Sequence, residues 1–207
     1  LFENITKFDP KIDGIFADES VGPYSGWLLY GLGIPWARPP PPPYTQQEYE
    51  QAVILTAQRI KQQMGTKILF TNGATPIFMP YVDGGMIEDF AVKTGTSGNA
   101  SNLYYPESGS SGTNWIDHIN NLNDSSLDNR ISVAQVDYWR VLGDTGRQKL
   151  INFTFASYLL GKNSNSYAAY SYSGPQGNVS EYYPEYDIDT GRALGDYYKT
   201  ATNVYVR

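Results

Sequence analysis

The feature that most constrains this chain is a rhythm in which short apolar runs, most of them ending on a carboxylate or an amide, alternate with longer amphipathic stretches. "KIDGIFADES" (11–20) ends its run on Asp18 and Glu19, "KILFTNG" (67–73) on Asn72, "VDGGMIEDF" (82–90) on Glu88 and Asp89, and "RISVAQVDYW" (130–139) on Asp137. "SYAAYSYS" (166–173) reads as a fifth strand and "NVYVR" (203–207) as a short sixth. Between them, "TQQEYEQAVILTAQRIKQQMG" (45–65) reads as a helix. Thr45 and Glu48 form a capping box, Val53, Ala57, Ile60 and Met64 make an apolar stripe, and Gly65 stops it. "DTGRQKLINFTFASYLLG" (144–161) reads as a second helix, capped by Asp144 and closed by Gly161. A shorter one begins near Asn114 after a Gly/Ser-rich loop at about 94–113.

Alternation of this kind predicts an α/β chain with parallel strands and right-handed crossovers, so that every strand end emerges on one side. Asp18, Asn72, Glu88 and Asp137 would then share one face, the catalytic face if the sheet closes into a barrel. A doubly wound open sheet is the alternative. It usually carries a glycine-rich phosphate loop, whereas "GLGIPW" (31–36) lacks the third glycine and does not follow a strand directly.

Composition removes whole classes of chemistry. The chain of 207 residues has a net charge of −6 and no cluster of Lys or Arg, which argues against a nucleic-acid partner. There is no cysteine, which excludes disulfides, thiolate nucleophiles and Cys-based metal sites. The single histidine, His118, lies in "NWIDHINNLN" (114–123), which reads as a surface helix, and no G-x-S-x-G elbow accompanies it. No apolar run approaches the length of a membrane span. Asp187, Asp189 and Gly191 faintly resemble a calcium loop, but the bidentate Glu such a loop needs at its twelfth position falls on Tyr198. No metal or cofactor is expected.

Carboxylates therefore remain as the reactive groups. Asp13 and Asp83 each precede a glycine and are expected to turn the chain into its strand. Asp18 and Glu88 directly follow buried apolar runs, where an acid has to be hydrogen-bonded, paired or functional. Two acids on different strands can act as nucleophile and general acid/base on a glycosidic bond. Glu19, Asn72, Asp89, Asp137, Trp139 and Tyr172 are the candidate substrate-binding residues. Residues 19–44 form a long loop with five consecutive prolines, Pro39–Pro43, a polyproline rod that either spaces the chain or rims a cleft with Trp27, Tyr30 and Trp36. Tyr-rich stretches such as "YYPEYD" (182–187) suit the walls of a groove or an interface.

Five N-x-[S/T] sequons, at Asn4, Asn99, Asn123, Asn152 and Asn178, lean towards an extracellular or cell-surface glycoprotein. The chain opens at Leu1 without an initiator Met, which leaves room for a leader or a preceding region.

"IDGIFADE", "KILFTNG", "DGGMIEDF", "FASYLLGKN" and above all "YYPEYDIDTGRALG" (182–195) resemble the C-terminal portion of a glycoside hydrolase-like TIM-barrel family that is itself similar to the α-galactosidase clan. The resemblance runs over nearly the whole chain, read as a single domain over 1–207. It implies a (β/α)8 TIM-barrel type fold with only the later strands, about four to eight, present. The first strand here would correspond to the fourth of the family and "GGMIEDF" to the sixth. In that clan the nucleophile follows strand four and the acid/base follows strand six, which maps to Asp18 and Glu88. The implied function is a secreted, retaining glycoside hydrolase with a carbohydrate partner. The alternative is a non-catalytic extracellular structural or glycan-binding protein derived from such a barrel. Strands one to three have no counterpart, which would leave the first strand with an open edge. Either the text is part of a longer protein or a second chain completes the sheet.

Overall fold

The computed structural model describes residues 11–17, 45–73, 79–92, 107, 114–124, 129–137, 143–174, 177–180, 182–191, 193–202 and 204–207. Asp18, Glu19, Trp139, Asn4, Asn99 and the Pro-rich loop with Trp27, Tyr30, Trp36 and Pro39–Pro43 lie outside them. The elements in chain order are β1 (Gly14–Ala17), α1 (Gln46–Met64), β2 (Ile68–Asn72), β3 (Gly84–Ile87), α2 (Trp115–Asn123), β4 (Ile131–Asp137), α3 (Gly143–Gly161), β5 (Ser166–Gly174), β6 (Gly177–Ser180), β7 (Tyr198–Ala201) and β8 (Val204–Val206).

The main sheet runs in the order β1-β2-β3-β4-β5-β6, each strand beside its neighbour in sequence. β1 pairs with β2 in parallel, Gly14 opposite Ile68, and β2 pairs with β3 in parallel, Asn72 opposite Met86. The first five strands are parallel, so the chain is an α/β protein whose sheet is compatible with part of a barrel. β6 returns antiparallel to β5 through a hairpin from Gly174 to Gly177. By its internal contacts the chain divides into two compact units, Leu1–Met86 with Asn129–Ser132 and Ile87–Asp128 with Val133–Arg207.

In the first unit, α1 begins as its sequence dictates. The Thr45 N–H donates to the Glu48 carboxylate at 2.7 Å, and the Glu48 N–H donates to Thr45 Oγ1 at 3.3 Å. Gly65 ends the helix at φ 62°, a conformation that costs a glycine little, and its N–H reaches the Lys61 carbonyl. Ala57 and Met64 are buried with Leu69, Met79 and Val82. β3 starts on glycine for a steric reason: a Cβ at Gly84 would stand 2.5 Å from the Ile131 carbonyl oxygen and 2.8 Å from the Phe70 ring.

In the second unit, Asn114 caps α2 by accepting the Asp117 N–H at 2.9 Å. Trp115, His118, Ile119 and Leu122 follow the i, i+3, i+4, i+7 spacing of one helical face, and all four are buried. α2 is therefore not a surface helix on that side, and His118 is a core residue. α3 packs on α2 closely enough that a Cβ at Gly161 would meet the Ile119 carbonyl oxygen at 2.6 Å. α3 opens at Gly143, so Asp144 is already inside the helix rather than its cap. Arg207 closes the other end, its guanidinium donating to the Leu160 carbonyl at 3.0 Å.

The terminal run "NVYVR" does not extend the main sheet. β8 pairs antiparallel with β7 in a separate two-stranded sheet, Tyr198 opposite Val206. Lys199 and Tyr205 both hydrogen-bond the Glu107 carboxylate, and the Tyr205 ring meets Trp115 edge-on at 4.8 Å between centroids. Side-chain anchors of that kind leave no trace in a period-2 pattern.

Candidate active site

Glu88 leaves the end of β3 on a turn whose backbone is unusual. Asp89 and Ala91 have φ of 55° and 63°, the left-handed region that non-glycine residues seldom occupy. Three backbone donors hold the turn. The Phe90 N–H donates to the Gln135 carbonyl of β4 at 2.9 Å, the Ala91 N–H to His118 Nδ1 at 2.9 Å, and the Val92 N–H to the Asp89 carbonyl at 3.2 Å. Phe90 is buried and stacks on the His118 ring, with centroids 5.9 Å apart. The chain is thus pinned at Phe90, Ala91 and Val92 while Glu88 is exposed and Asp89 half-buried.

Near neutral pH, His118 serves this turn as a hydrogen-bond acceptor. Burial pushes its pKa from 6.5 down to about 4, against a smaller upward pull from the Asp117 carboxylate. The imidazole is neutral there, as its role of acceptor to Ala91 requires.

Asn72 closes β2 and is half-buried. Beside it the Gly73 N–H donates to the Met86 carbonyl at 2.8 Å, and the Thr71 hydroxyl donates to the Gly73 carbonyl at 3.2 Å. Asp83, expected only to turn the chain, does more. It accepts the Leu69 N–H at 2.8 Å and forms an ion pair with Lys61 at 2.6 Å. Asp137 ends β4, and Tyr172 lies in β5 opposite Val179. Asn72, Glu88 and Asp137 each stand at or just after the C-terminal end of a parallel strand.

Other sequence candidates lie elsewhere among the described residues. The Gly191 N–H donates to Asp189 Oδ1 at 2.9 Å, and the Tyr182 hydroxyl bonds Asp187, so this stretch is a self-satisfied turn. Among the described residues, no group of three His, Asp or Glu gathers as metal ligands. Tyr170, Tyr182, Tyr183 and Tyr186 pack into one aromatic cluster with centroids 5.5–6.0 Å apart. Of the sequons, Asn123 sits at the end of α2 and Asn152 is exposed on α3. Asn178 lies in β6. His118 and Gln135, which hold the Glu88 turn, were not among the candidate site residues. The helical spacing of Trp115, His118, Ile119 and Leu122 is the signal that could have marked His118 as buried.

The described strands thus define an α/β protein whose parallel sheet has Asn72, Glu88 and Asp137 at or just after strand ends. The family model that matches residues 2–207 is that of hypothetical glycosyl hydrolase family 15, and the chain belongs to this family. No curated protein matches it. Among the described residues, no helix is long and apolar enough to cross a membrane.

Proposed function

We propose that this chain carries the catalytic face of a secreted, retaining glycoside hydrolase in which Asp18 is the nucleophile and Glu88 the general acid/base. The observation that carries the reading is the turn after β3: a strained, backbone-pinned segment that leaves one carboxylate, Glu88, exposed at the end of a parallel strand. Strain of this kind concentrates where a side chain has to be aimed. Membership in a glycosyl hydrolase-like family supports the same chemistry. Asp18 directly follows β1 in sequence, and β1 pairs in parallel with β2, the strand that ends on Asn72. Glu19, Asn72, Asp89, Asp137, Trp139 and Tyr172 are assigned to substrate binding around these two acids.

The sheet belongs to a TIM-type barrel akin to the α-galactosidase clan, and further strands cover β1. Two observations support that completion. Among the described residues β1 pairs only with β2, and Phe16 on β1 is 49% exposed, too apolar a residue for an open edge. Five sequons support secretion. A second reading, a non-catalytic glycan-binding protein, is favoured by the exposure of Tyr167, Tyr182 and Tyr198.

The test uses the complete protein and a panel of aryl glycosides with good leaving groups. Asp18→Asn is expected to abolish turnover. Glu88→Ala is expected to lose most of it and to regain rate with azide, which attacks the glycosyl-enzyme without needing a general base. Wild-type rates in both variants, or a wild type that cleaves no glycoside in the panel, would hand the argument to the glycan-binding reading.

A further inference from the structure

We infer that His118 is the positioning residue of this site: its imidazole locks the turn that carries Glu88 by accepting the Ala91 N–H, and so aims the Glu88 carboxylate. The inference rests on the role of Glu88 proposed above, and its argument is geometric. Two non-glycine residues in four, Asp89 and Ala91, hold positive φ. Each such residue costs about 1–3 kcal/mol and persists only where its surroundings over-determine it. The surroundings here are few and identifiable. Phe90 is tied to β4 through Gln135, Val92 closes back on Asp89, and the Ala91 N–H ends on the side chain of a helix distant in sequence.

Ala91 itself is fully buried, so its N–H has no water to turn to if the imidazole withdraws. His118 is in turn fixed, since α2 buries it between Trp115 and Ile119 in sequence and Phe90 stacks on its ring. An apolar side chain of similar size would offer no acceptor at that place. What histidine adds is an acceptor on its ring, and the structure uses that acceptor on the strained residue of the turn. No proton needs to move at His118 for this role. It reaches the substrate only through the backbone from 88 to 91.

The experiment compares the wild-type chain with His118→Leu and His118→Asn. Leucine fills the space without an acceptor, and the asparagine carboxamide oxygen can occupy the place of Nδ1. In the leucine variant the Ala91 amide should exchange with solvent roughly ten- to a hundredfold faster, the loss expected of a buried hydrogen bond. The Phe90 amide, bonded to Gln135, should keep its protection and report that the core is intact. On an activated aryl glycoside, kcat should fall roughly tenfold or more with KM within about twofold, because the reacting carboxylate is misaimed rather than the binding surface lost. His118→Asn should restore both readouts. If His118→Leu alone does not fold, the double variant with Ala91→Gly, which removes the strained Cβ, supplies the folded protein, and its residue-91 amide and kcat are read against Ala91→Gly alone. A folded leucine variant with wild-type Ala91 exchange and wild-type kcat overturns the inference. If the wild type cleaves no glycoside, the hydrolase reading fails by itself. The Ala91 exchange then decides on the lock alone, faster exchange upholding it and unchanged exchange overturning it.

Discussion

The carboxylate of Asp83, in the turn ahead of β3, accepts the backbone N–H of Leu69 in β2 at 2.8 Å. The same carboxylate faces Lys61 of α1 at 2.6 Å and Arg130 at 3.9 Å. One side chain therefore ties the start of β2, the end of α1 and the approach to β3. Asp83→Ala should destabilise the protein by roughly 1–3 kcal/mol, because the Leu69 N–H would be left without its acceptor. Lys61→Ala should cost less than about 1 kcal/mol and weaken further with salt, since its ion pair is partly exposed. Urea denaturation of the two variants at low and high ionic strength checks the order.

His118 should make stability depend on pH on the acid side. Its pKa is about 4 in the folded chain against 6.5 ordinarily, so the unfolded chain binds the extra proton first. This contribution is constant above pH 6.5 and falls as pH drops from there towards 4, by about 3 kcal/mol at most. Denaturation midpoints taken between pH 7 and pH 4 should show the slope in wild type and a flatter one in His118→Leu.

Retention of anomeric configuration follows from the roles given to Asp18 and Glu88. A nucleophile must touch the sugar directly, so the two carboxyl groups should lie about 5–5.5 Å apart; a gap of about 6.5–9.5 Å would admit water and imply inversion. Proton NMR of the first-formed product reads the outcome. An inverted anomer would remove Asp18 from the nucleophile's role while leaving Glu88 as the acid.

The buried hydroxyls of Tyr170 and Thr154 meet at 2.6 Å, and Thr154 can also donate to the Leu150 carbonyl at 2.8 Å. Because Thr154 keeps a partner, Tyr170→Phe should cost only about 1 kcal/mol, with the denaturant slope unchanged. A loss above about 3 kcal/mol would mean that the tyrosine cluster around residues 182–186 is the true anchor of this region.

The sequence by itself determined the local elements. Strand and helix alternation, the Thr45–Glu48 box, the Gly65 stop and the Asn114 start are all short-range patterns, and the structure contains each of them. The positions of Asn72, Glu88 and Asp137 at strand ends were legible for the same reason, since an acid or amide closing an apolar run is a local event. Only the tertiary structure decided what depends on contacts distant in the chain. His118 read as a surface residue until its helix found a partner to bury it, and 27 residues separate it from the N–H it accepts. The terminal strand read as part of the main sheet, yet it pairs with the segment just before it, a choice that β-propensity does not encode. The left-handed backbone at Ala91 ran against its residue type, and that at Asp89 fell on a type that tolerates it without requiring it. Such a conformation has no signature in composition or period, because it is maintained by Gln135 and His118, which reach it from other elements.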